Sequence, residues 1–269
     1  MAEAAGHKDV WSAGDAYEPY VGRWSRLVAA EFLDWLAMPA ASRWLDVGCG
    51  TGALSQTIVA CAAPSQVLAV DPSGAFLNFA RERLVDPQVE FRVGDARALP
   101  VEDGAFDAAI AGLVLNFVPE PALALSEMRR AVRPGGTVAI YVWDYAGEMQ
   151  LMRRFWDAAA ELDDKAVELD EGRRFPICRP EALLALFAEA GIAEAESRAI
   201  EVPTIFRDFD DYWSPFLGGQ GPAPGYCVSL SESRRAALRE KLRDTLPTAP
   251  DGSIPLKARA FAVRGRRPA

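Results

Sequence analysis

Three glycines spaced two residues apart, Gly48, Gly50 and Gly52, follow the apolar run Trp44-Leu45-Asp46-Val47. Such a run is typical of a buried parallel strand, and the pattern of residues 53–60 predicts a helix. Glycine permits a tight turn and a close approach of the backbone to a ligand. The free N–H groups of a loop between a strand and a helix attract negative or strongly polar groups. The segment therefore predicts a ligand-binding loop.

Three acidic residues accompany the ends of predicted strands. Asp46 lies two residues before the first glycine, where its carboxylate can reach an amino group of a ligand. Asp71 ends the second apolar run, at the spacing expected for a carboxylate that accepts hydrogen bonds from ribose hydroxyls. Asp95 follows the third predicted strand, 89–93, and can accept a hydrogen bond from an exocyclic amine such as that of adenine. Together they indicate a ligand that contains a nucleoside.

The glycine loop by itself permits another interpretation. Gly48, Gly50 and Ala53 satisfy the dinucleotide pattern G-x-G-x-x-G/A, so an NAD(P)-dependent oxidoreductase is one alternative. Asp46 and Asp95 argue against it, because a nicotinamide site requires neither of them. A non-catalytic regulatory protein that has kept a cofactor pocket is a second alternative, which the residues leave open.

Four motifs in a fixed order make the pattern more specific: LDVGCGTG, VDPSGAFLNFARERL, VGDARALP and RPGGTVAIYVW. Through them residues 40–143 resemble the class I S-adenosylmethionine-dependent methyltransferases, in particular the ubiquinone/menaquinone-biosynthesis and small-molecule branch. The resemblance implies S-adenosyl-L-methionine as cofactor and methyl transfer to oxygen, carbon or nitrogen of a small organic acceptor. One departure is Phe76, which stands where that family has methionine.

The resemblance also implies a set of cofactor-binding residues: Tyr20, Asp46, Gly48, Gly50, Thr51, Asp71, Pro72, Asp95, Ala96, Gly112 and Leu113. In it Asp71 meets the ribose, Pro72 lies against an adenine face, and the backbone at Gly112 meets the methionine part. Tyr20 belongs to an aromatic leader, 11–26, which folds over the cofactor in similar proteins. Packing of the first helix onto the sheet explains the same aromatics equally well.

No catalytic residue is assigned. His7 is the only histidine and lies in a leader expected to fray, so a histidine general base is not expected. The candidates that remain are Tyr17, Tyr20 and Asn116. A tyrosine with its ordinary pKa near 10 would orient the acceptor rather than remove a proton. Asn116 either faces the transfer site or caps the following turn.

Strand and helix patterns alternate along the chain, which together with the resemblance predicts an α/β Rossmann-like fold. We expect a seven-stranded, mostly parallel sheet with an antiparallel last strand, in one domain covering 1–269. Within it, 1–38 is expected to form a helical cap, 40–143 the cofactor-binding core, and 144–178 and 205–250 helical lid insertions around the substrate. Within 206–216, one helical face is expected to carry Phe206, Phe209, Trp213 and Phe216. The glycine- and proline-rich stretch 218–225 is expected to be a flexible loop.

Composition restricts the classes of partner. The 269 residues carry a formal net charge of −9, which is not the electrostatic signature of a nucleic-acid binder. The four cysteines are far apart and form no C-x-x-C pair, so no metal site is expected. The first residues lack the apolar core of a signal peptide, and no stretch is apolar enough to span a membrane. We therefore expect a cytoplasmic protein that acts on a small molecule, with its oligomeric state left open.

Overall fold

A computed structural model describes residues 18–219 and 221–269. His7 and Tyr17, on which two of the expectations above fall, lie outside this described part. Within it, one sheet is built from seven strands: β1 (Arg43–Val47), β2 (Gln66–Asp71), β3 (Val89–Val93), β4 (Phe106–Gly112), β5 (Val132–Trp143), β6 (Ala193–Phe206) and β7 (Ile254–Arg266).

The strands lie in the order β3-β2-β1-β4-β5-β7-β6. The pairs from β3 to β5 are all parallel, whereas β7 is antiparallel to both β5 and β6. The prediction of a mostly parallel seven-stranded sheet with an antiparallel last strand is therefore confirmed. From β1 to β3 successive strands are added towards one edge of the sheet, and from β4 to β5 they are added towards the other edge. Open α/β sheets bind their ligands at such a change of strand order, here between β1 and β4.

Helices connect and cover the strands: α1 (Arg23–Leu36), α2 (Ala53–Cys61), α3 (Gly74–Arg83), α4 (Pro121–Ala131), α5 (Gln150–Leu162), α6 (Ala166–Leu169), α7 (Glu171–Arg174), α8 (Pro180–Glu189), α9 (Phe209–Trp213), α10 (Pro222–Ser229) and α11 (Glu232–Thr245). A π-helical turn, Glu18–Gly22, precedes α1. Short 3₁₀ segments occur at Leu115–Phe117 and Ser214–Gly218.

The local sequence explains the elements that position the loop after β1. Four consecutive residues of β1, from Trp44 to Val47, are buried, because the strand is paired on both edges and covered on both faces. Ser73 caps α3, since its side chain accepts a hydrogen bond from the N–H of Phe76 at 3.3 Å. The helix after β2 therefore begins at this cap.

Two elements differ from the sequence expectation. Phe206 is the last residue of β6 and does not belong to the helix that carries Phe209. The strand extends this far because buried and exposed residues alternate up to Phe206. The predicted loop 218–225 contains the first half of α10, whose two prolines, Pro222 and Pro224, lie in the first turn, where no intrahelical N–H bond is required.

The chain after β5 packs an aromatic cluster beside the sheet. Phe216 stacks on Phe155 of α5 with ring centroids 4.4 Å apart, and it meets the edge of Tyr20 at 5.7 Å. Residues of both insertions and of the segment before α1 therefore share one packed core. No helix in the described part of the chain is long and apolar enough to cross a membrane.

Candidate functional site

A cavity of about 260 Å³ opens at the carboxyl ends of β1, β2, β4 and β5. This size is near the lower end of small-molecule sites. Its walls are lined by Val21, Ser25, Asp46, Gly48, Cys49, Gly50, Thr51, Ala53, Leu54, Asp71, Pro72, Ser73, Phe76, Gly112, Leu113, Val114, Phe117, Tyr141, Trp143, Tyr145, Met152 and Glu171.

The glycine loop forms one wall of this cavity. Gly48 and Gly50 have φ angles of +72° and +52°, which side-chain-bearing residues rarely adopt. A Cβ atom at Gly48 would lie 2.6 Å from Cγ2 of Val114, whereas one at Gly50 would have no neighbour within 4 Å. The N–H of Gly48 donates to the carbonyl of Val70 at 2.7 Å, so the loop is fixed to the end of β2.

Asp46 is buried beneath the loop and lines the cavity. Its Oδ2 accepts a hydrogen bond of 2.5 Å from the hydroxyl of Ser55, while Oδ1 has no partner among the described residues. Burial raises the pKa of this carboxyl to about 7; the hydrogen bond from Ser55 opposes the shift, and the charge of Asp71 adds to it. A cationic ligand group beside Oδ1 would satisfy the free oxygen and favour the charged form.

Asp71 connects the loop to the start of α3. Its carboxylate accepts hydrogen bonds from the N–H groups of Gly50 at 2.9 Å and Ser73 at 2.8 Å. Burial raises its pKa, and the two backbone hydrogen bonds oppose that shift. Asp71 therefore shapes the loop besides presenting a carboxylate to the cavity, a structural role that sequence spacing did not indicate.

The end of β4 forms a second wall with a strained backbone. Leu113 has a φ of +61°, and its N–H donates to the carbonyl of Tyr141 at 2.8 Å. A Cβ atom at Gly112 would lie 2.6 Å from the hydroxyl oxygen of Tyr141, so this position has no room for a side chain. A non-glycine residue in the left-handed region costs on the order of 1–3 kcal/mol, and such residues cluster at ligand sites.

The structure brings most of the predicted cofactor residues to this one cavity: Asp46, Gly48, Gly50, Thr51, Asp71, Pro72, Gly112 and Leu113. Sequence reasoning missed several other lining residues. Ser25 comes from α1, Trp143 and Tyr145 from the end of β5 and the loop beyond it, Met152 from α5, and Glu171 from α7. Phe76, noted above as a departure from the family pattern, also lines the cavity.

Four predicted residues lie outside the cavity lining. Asp95 is half-exposed, and the hydrogen bond from the guanidinium of Arg97 holds its pKa at about 2. Ala96 follows it on the same turn. Tyr20 is fully buried against Phe216, with no described partner for its hydroxyl.

Asn116 is the fourth of these residues. It is buried in the 3₁₀ segment after β4, and neither polar atom of its side chain has a hydrogen-bond partner among the described residues. In the described part of the chain, the Asn116 side chain therefore makes no hydrogen bond that would cap the following turn.

The ionisable groups of the cavity are acidic. Asp46, Asp71 and Glu171 line it, and none of the described lining residues is lysine, arginine or histidine. Over residues 18–219 and 221–269, no cluster of three or more histidine, cysteine or acidic residues is arranged to hold a metal ion. The arrangement favours a ligand with positive charge or hydrogen-bond donors and an apolar or aromatic body.

The glycine loop and the strands around it lie in the part of the chain that matches a known protein family. The methyltransferase domain family matches residues 45–140, from β1 to the middle of β5. A demethylmenaquinone methyltransferase of Renibacterium salmoninarum is 38% identical over 118 residues, which is 44% of this chain and 46% of the relative. An uncharacterized 37.1 kDa protein of a Streptomyces fradiae transposon is 33% identical over 192 residues, 68% of this chain and 52% of the relative. The chain thus spans about half the length of these two relatives.

The fold has counterparts among solved structures. A phosphoethanolamine N-methyltransferase 2 from Haemonchus contortus, solved with phosphomonomethylethanolamine and S-adenosylhomocysteine, superposes with a TM-score of 0.59 at 18% identity. The superposition covers 95% of this chain and 57% of that one. At this level of identity the likeness concerns the fold.

Proposed function

We infer that this chain, which belongs to the class I S-adenosylmethionine-dependent methyltransferases, transfers the methyl group of S-adenosyl-L-methionine to a small organic acceptor. The observation that carries this inference is Oδ1 of Asp46, which is buried beside the glycine loop at the ends of the parallel strands and has no partner among the described residues. S-adenosylmethionine has a positive sulfonium and a positive ammonium group. The cavity offers carboxylates that attract these groups, and none of its described lining residues is a cation that would repel them.

The residues of the cavity suit the separate parts of this cofactor. We assign the ammonium group to Asp46 and the rest of the methionine part to the backbone around Gly48, Gly50, Thr51, Gly112 and Leu113. Glycine is required at Gly48 and Gly112, because a Cβ atom at either position would overlap a neighbouring side chain. Thus the packing of the loop and of the end of β4 depends on their bare backbone.

The nucleoside part is assigned to the other side of the loop. Asp71 would accept hydrogen bonds from the ribose hydroxyls with the lone pairs that Gly50 and Ser73 leave free, and Pro72 would lie against the adenine. Asp95 and Ala96 are proposed to meet the adenine amine. For Asp95 this contact competes with the ion pair to Arg97, at 2.7 Å.

When bound, the cofactor supplies an already activated methyl group, so the protein need not generate an electrophile. The contribution of this chain is to align the acceptor and to exclude water. The aromatic walls formed by Phe117, Tyr141, Trp143 and Tyr145 serve both purposes. The proposal requires no histidine.

We further propose that insertion 144–178 forms the acceptor side of the cavity, with 1–38 and 205–250 supporting it. Three cavity residues, Tyr145, Met152 and Glu171, come from the first insertion. No described residue of 205–250 lines the cavity, but Phe216 packs against Phe155 and Tyr20 behind its wall. The second insertion thus acts through packing.

Calorimetric binding of S-adenosylhomocysteine tests the cofactor assignment. We expect Asp46→Asn and Asp71→Asn each to weaken binding at least tenfold, since a hydrogen bond to a charged group is worth about 1.5–3 kcal/mol. Asp103→Asn is the control, because Asp103 lies on the surface in an ion pair with Arg130. Tight binding of NADH in place of S-adenosylhomocysteine would favour the oxidoreductase alternative. Binding without transfer of a labelled methyl group to any acceptor of a metabolite panel would favour a regulatory protein.

A further inference from the structure

Glu171 is a buried acid that the cofactor assignment does not use. It is the first residue of α7, it is 1% exposed, and it is among the residues that line the cavity. Oε2 accepts a hydrogen bond from the indole N–H of Trp156, whereas Oε1 has no partner among the described residues. An unsatisfied carboxylate oxygen costs free energy when it is buried, so it marks a place where a ligand can donate a hydrogen bond.

The described charges near Glu171 have opposing effects on its carboxyl group. Arg153 is bound to Asp170, with Nη2 and Oδ2 2.8 Å apart. The charge of Arg174 favours the ionised form of Glu171, and the charge of Asp170 opposes it. Burial, the largest effect, raises the pKa of Glu171 to about 8.

A second polar group lies close to this carboxyl. The hydroxyl of Tyr20 is buried and has no described partner. Burial raises the pKa of Tyr20, and the nearby charge of Glu171 raises it further. Tyr20 therefore remains neutral and can accept or donate a hydrogen bond beside the cavity wall.

We propose that Glu171 binds an amino group of the methyl acceptor and accepts a proton from it. This proposal rests on the proposed function and adds the class of acceptor, an amine with an apolar or aromatic body. In the step concerned, an N–H bond of the alkylammonium ion breaks and leaves its electron pair on nitrogen. The proton forms an O–H bond with Oε1 of Glu171. An ammonium ion and a carboxylate thus become a neutral amine with a free electron pair and a neutral carboxyl group.

The walls of the cavity favour an amine over an acid. No lysine, arginine or histidine is present among the described lining residues, so a carboxylate or phosphate on the acceptor would be buried without a partner. Phe117, Tyr141, Trp143 and Tyr145 offer aromatic surface, which attracts a cation through the negative faces of the rings. A phenol or alcohol would bring no positive charge to favour the carboxylate form of Glu171.

Binding of three probes to the protein loaded with S-adenosylhomocysteine tests the proposal: benzylamine, benzyl alcohol and benzoate. We expect benzylamine to bind at least tenfold more tightly than the other two at pH 7.5. Glu171→Gln keeps the size of the side chain and an acceptor for Trp156, but cannot ionise. It should weaken benzylamine binding at least tenfold and change benzyl alcohol binding less than twofold. Glu168→Gln, at an exposed position of the same segment, should change neither.

The failure of this inference differs from a failure of the proposed function. Affinity for S-adenosylhomocysteine should stay within twofold of wild type in Glu171→Gln, because the glycine loop and its carboxylates are intact. The amine proposal is overturned if benzoate or benzyl alcohol binds as well as benzylamine, if benzylamine does not bind, or if Glu171→Gln leaves its affinity unchanged. The probe comparison uses the wild-type protein, so it decides the question even where the variant does not fold.

Discussion

Gly48 and Gly50 both have a left-handed backbone conformation, but their surroundings differ. Alanine substitutions at the two positions therefore separate the cost of backbone strain from the cost of steric overlap. Ala in the left-handed region costs about 1–2 kcal/mol. Gly50→Ala should lower the free energy of unfolding by roughly this amount, since a Cβ atom there meets nothing within 4 Å. Gly48→Ala should cost about 1–3 kcal/mol more, because the new methyl group overlaps Val114.

Urea denaturation of both variants measures this difference. Val114→Ala removes the overlapping methyl groups, so it should recover part of the stability lost in Gly48→Ala when the two changes are combined. Equal losses in the two single variants, with no recovery in the double variant, would mean that the contact with Val114 is unimportant.

What sequence can predict at single residues depends on how local the cause is. The position of Asp71 at the end of a strand could be predicted from its distance along the chain from the glycine loop. This distance is set locally, by the lengths of the intervening helix, turn and strand. Glu171 could not be found this way, because it reaches the cavity only through the tertiary packing of α7 beside Trp156. The hydrogen bond from Ser55 to Asp46 could have been found, since both residues flank the same loop and face each other across a strand–helix turn.

At the scale of elements, the parallel core was predictable because its strands and helices show their own hydrophobic patterns, and Ser73 caps α3. The chain after β5 was less so, since its short helices depend on aromatic packing. The stretch 218–225 was predicted as a loop from composition, yet proline is acceptable in the first turn of a helix, and α10 begins at Pro222. The end of β6 at Phe206 did have a signal, the alternation of buried residues from Ile200 onward, which the helical interpretation of 206–216 overrode.

Residues 206–225 remain our candidate for a lid that becomes more ordered when ligand binds. Glycines and prolines crowd one end of this segment, while Phe216 anchors its middle in the aromatic cluster. We expect chymotrypsin to cleave after the exposed Leu217 in the free protein, and at least threefold more slowly with S-adenosylhomocysteine and benzylamine present.

Leu123 in α4 is the matched control for this experiment, since it is as exposed as Leu217 but lies in the core domain. Its cleavage should be slow and independent of ligand. Equal cleavage rates after Leu217 with and without ligand would mean that the segment is a permanently packed helix pair.

At the scale of the whole molecule, the sheet order brings the ends of four strands to one cavity. This arrangement buries several acidic side chains, which destabilises their charged forms. Burial raises the pKa of Asp46 to about 7 and that of Glu171 to about 8, from ordinary values of 3.8 and 4.5. Between the ordinary and the raised values, the folded protein binds more protons than the unfolded chain. Its free energy of unfolding therefore falls as the pH rises through this range.

We expect the free energy of unfolding, measured with urea in the absence of ligands, to fall by at least about 2 kcal/mol between pH 5 and pH 8. Carboxyls with a lowered pKa, such as Asp95 at about 2, act in the opposite direction only near and below their unfolded values, so they do not affect this window. The double variant Asp46→Asn, Glu171→Gln removes both titrations and should reduce the fall to less than half. Asp103→Asn, at the exposed ion pair with Arg130, should keep the wild-type slope. A wild-type stability that stays level or rises from pH 5 to pH 8 would mean that both acids ionise in the folded protein as easily as in the unfolded chain.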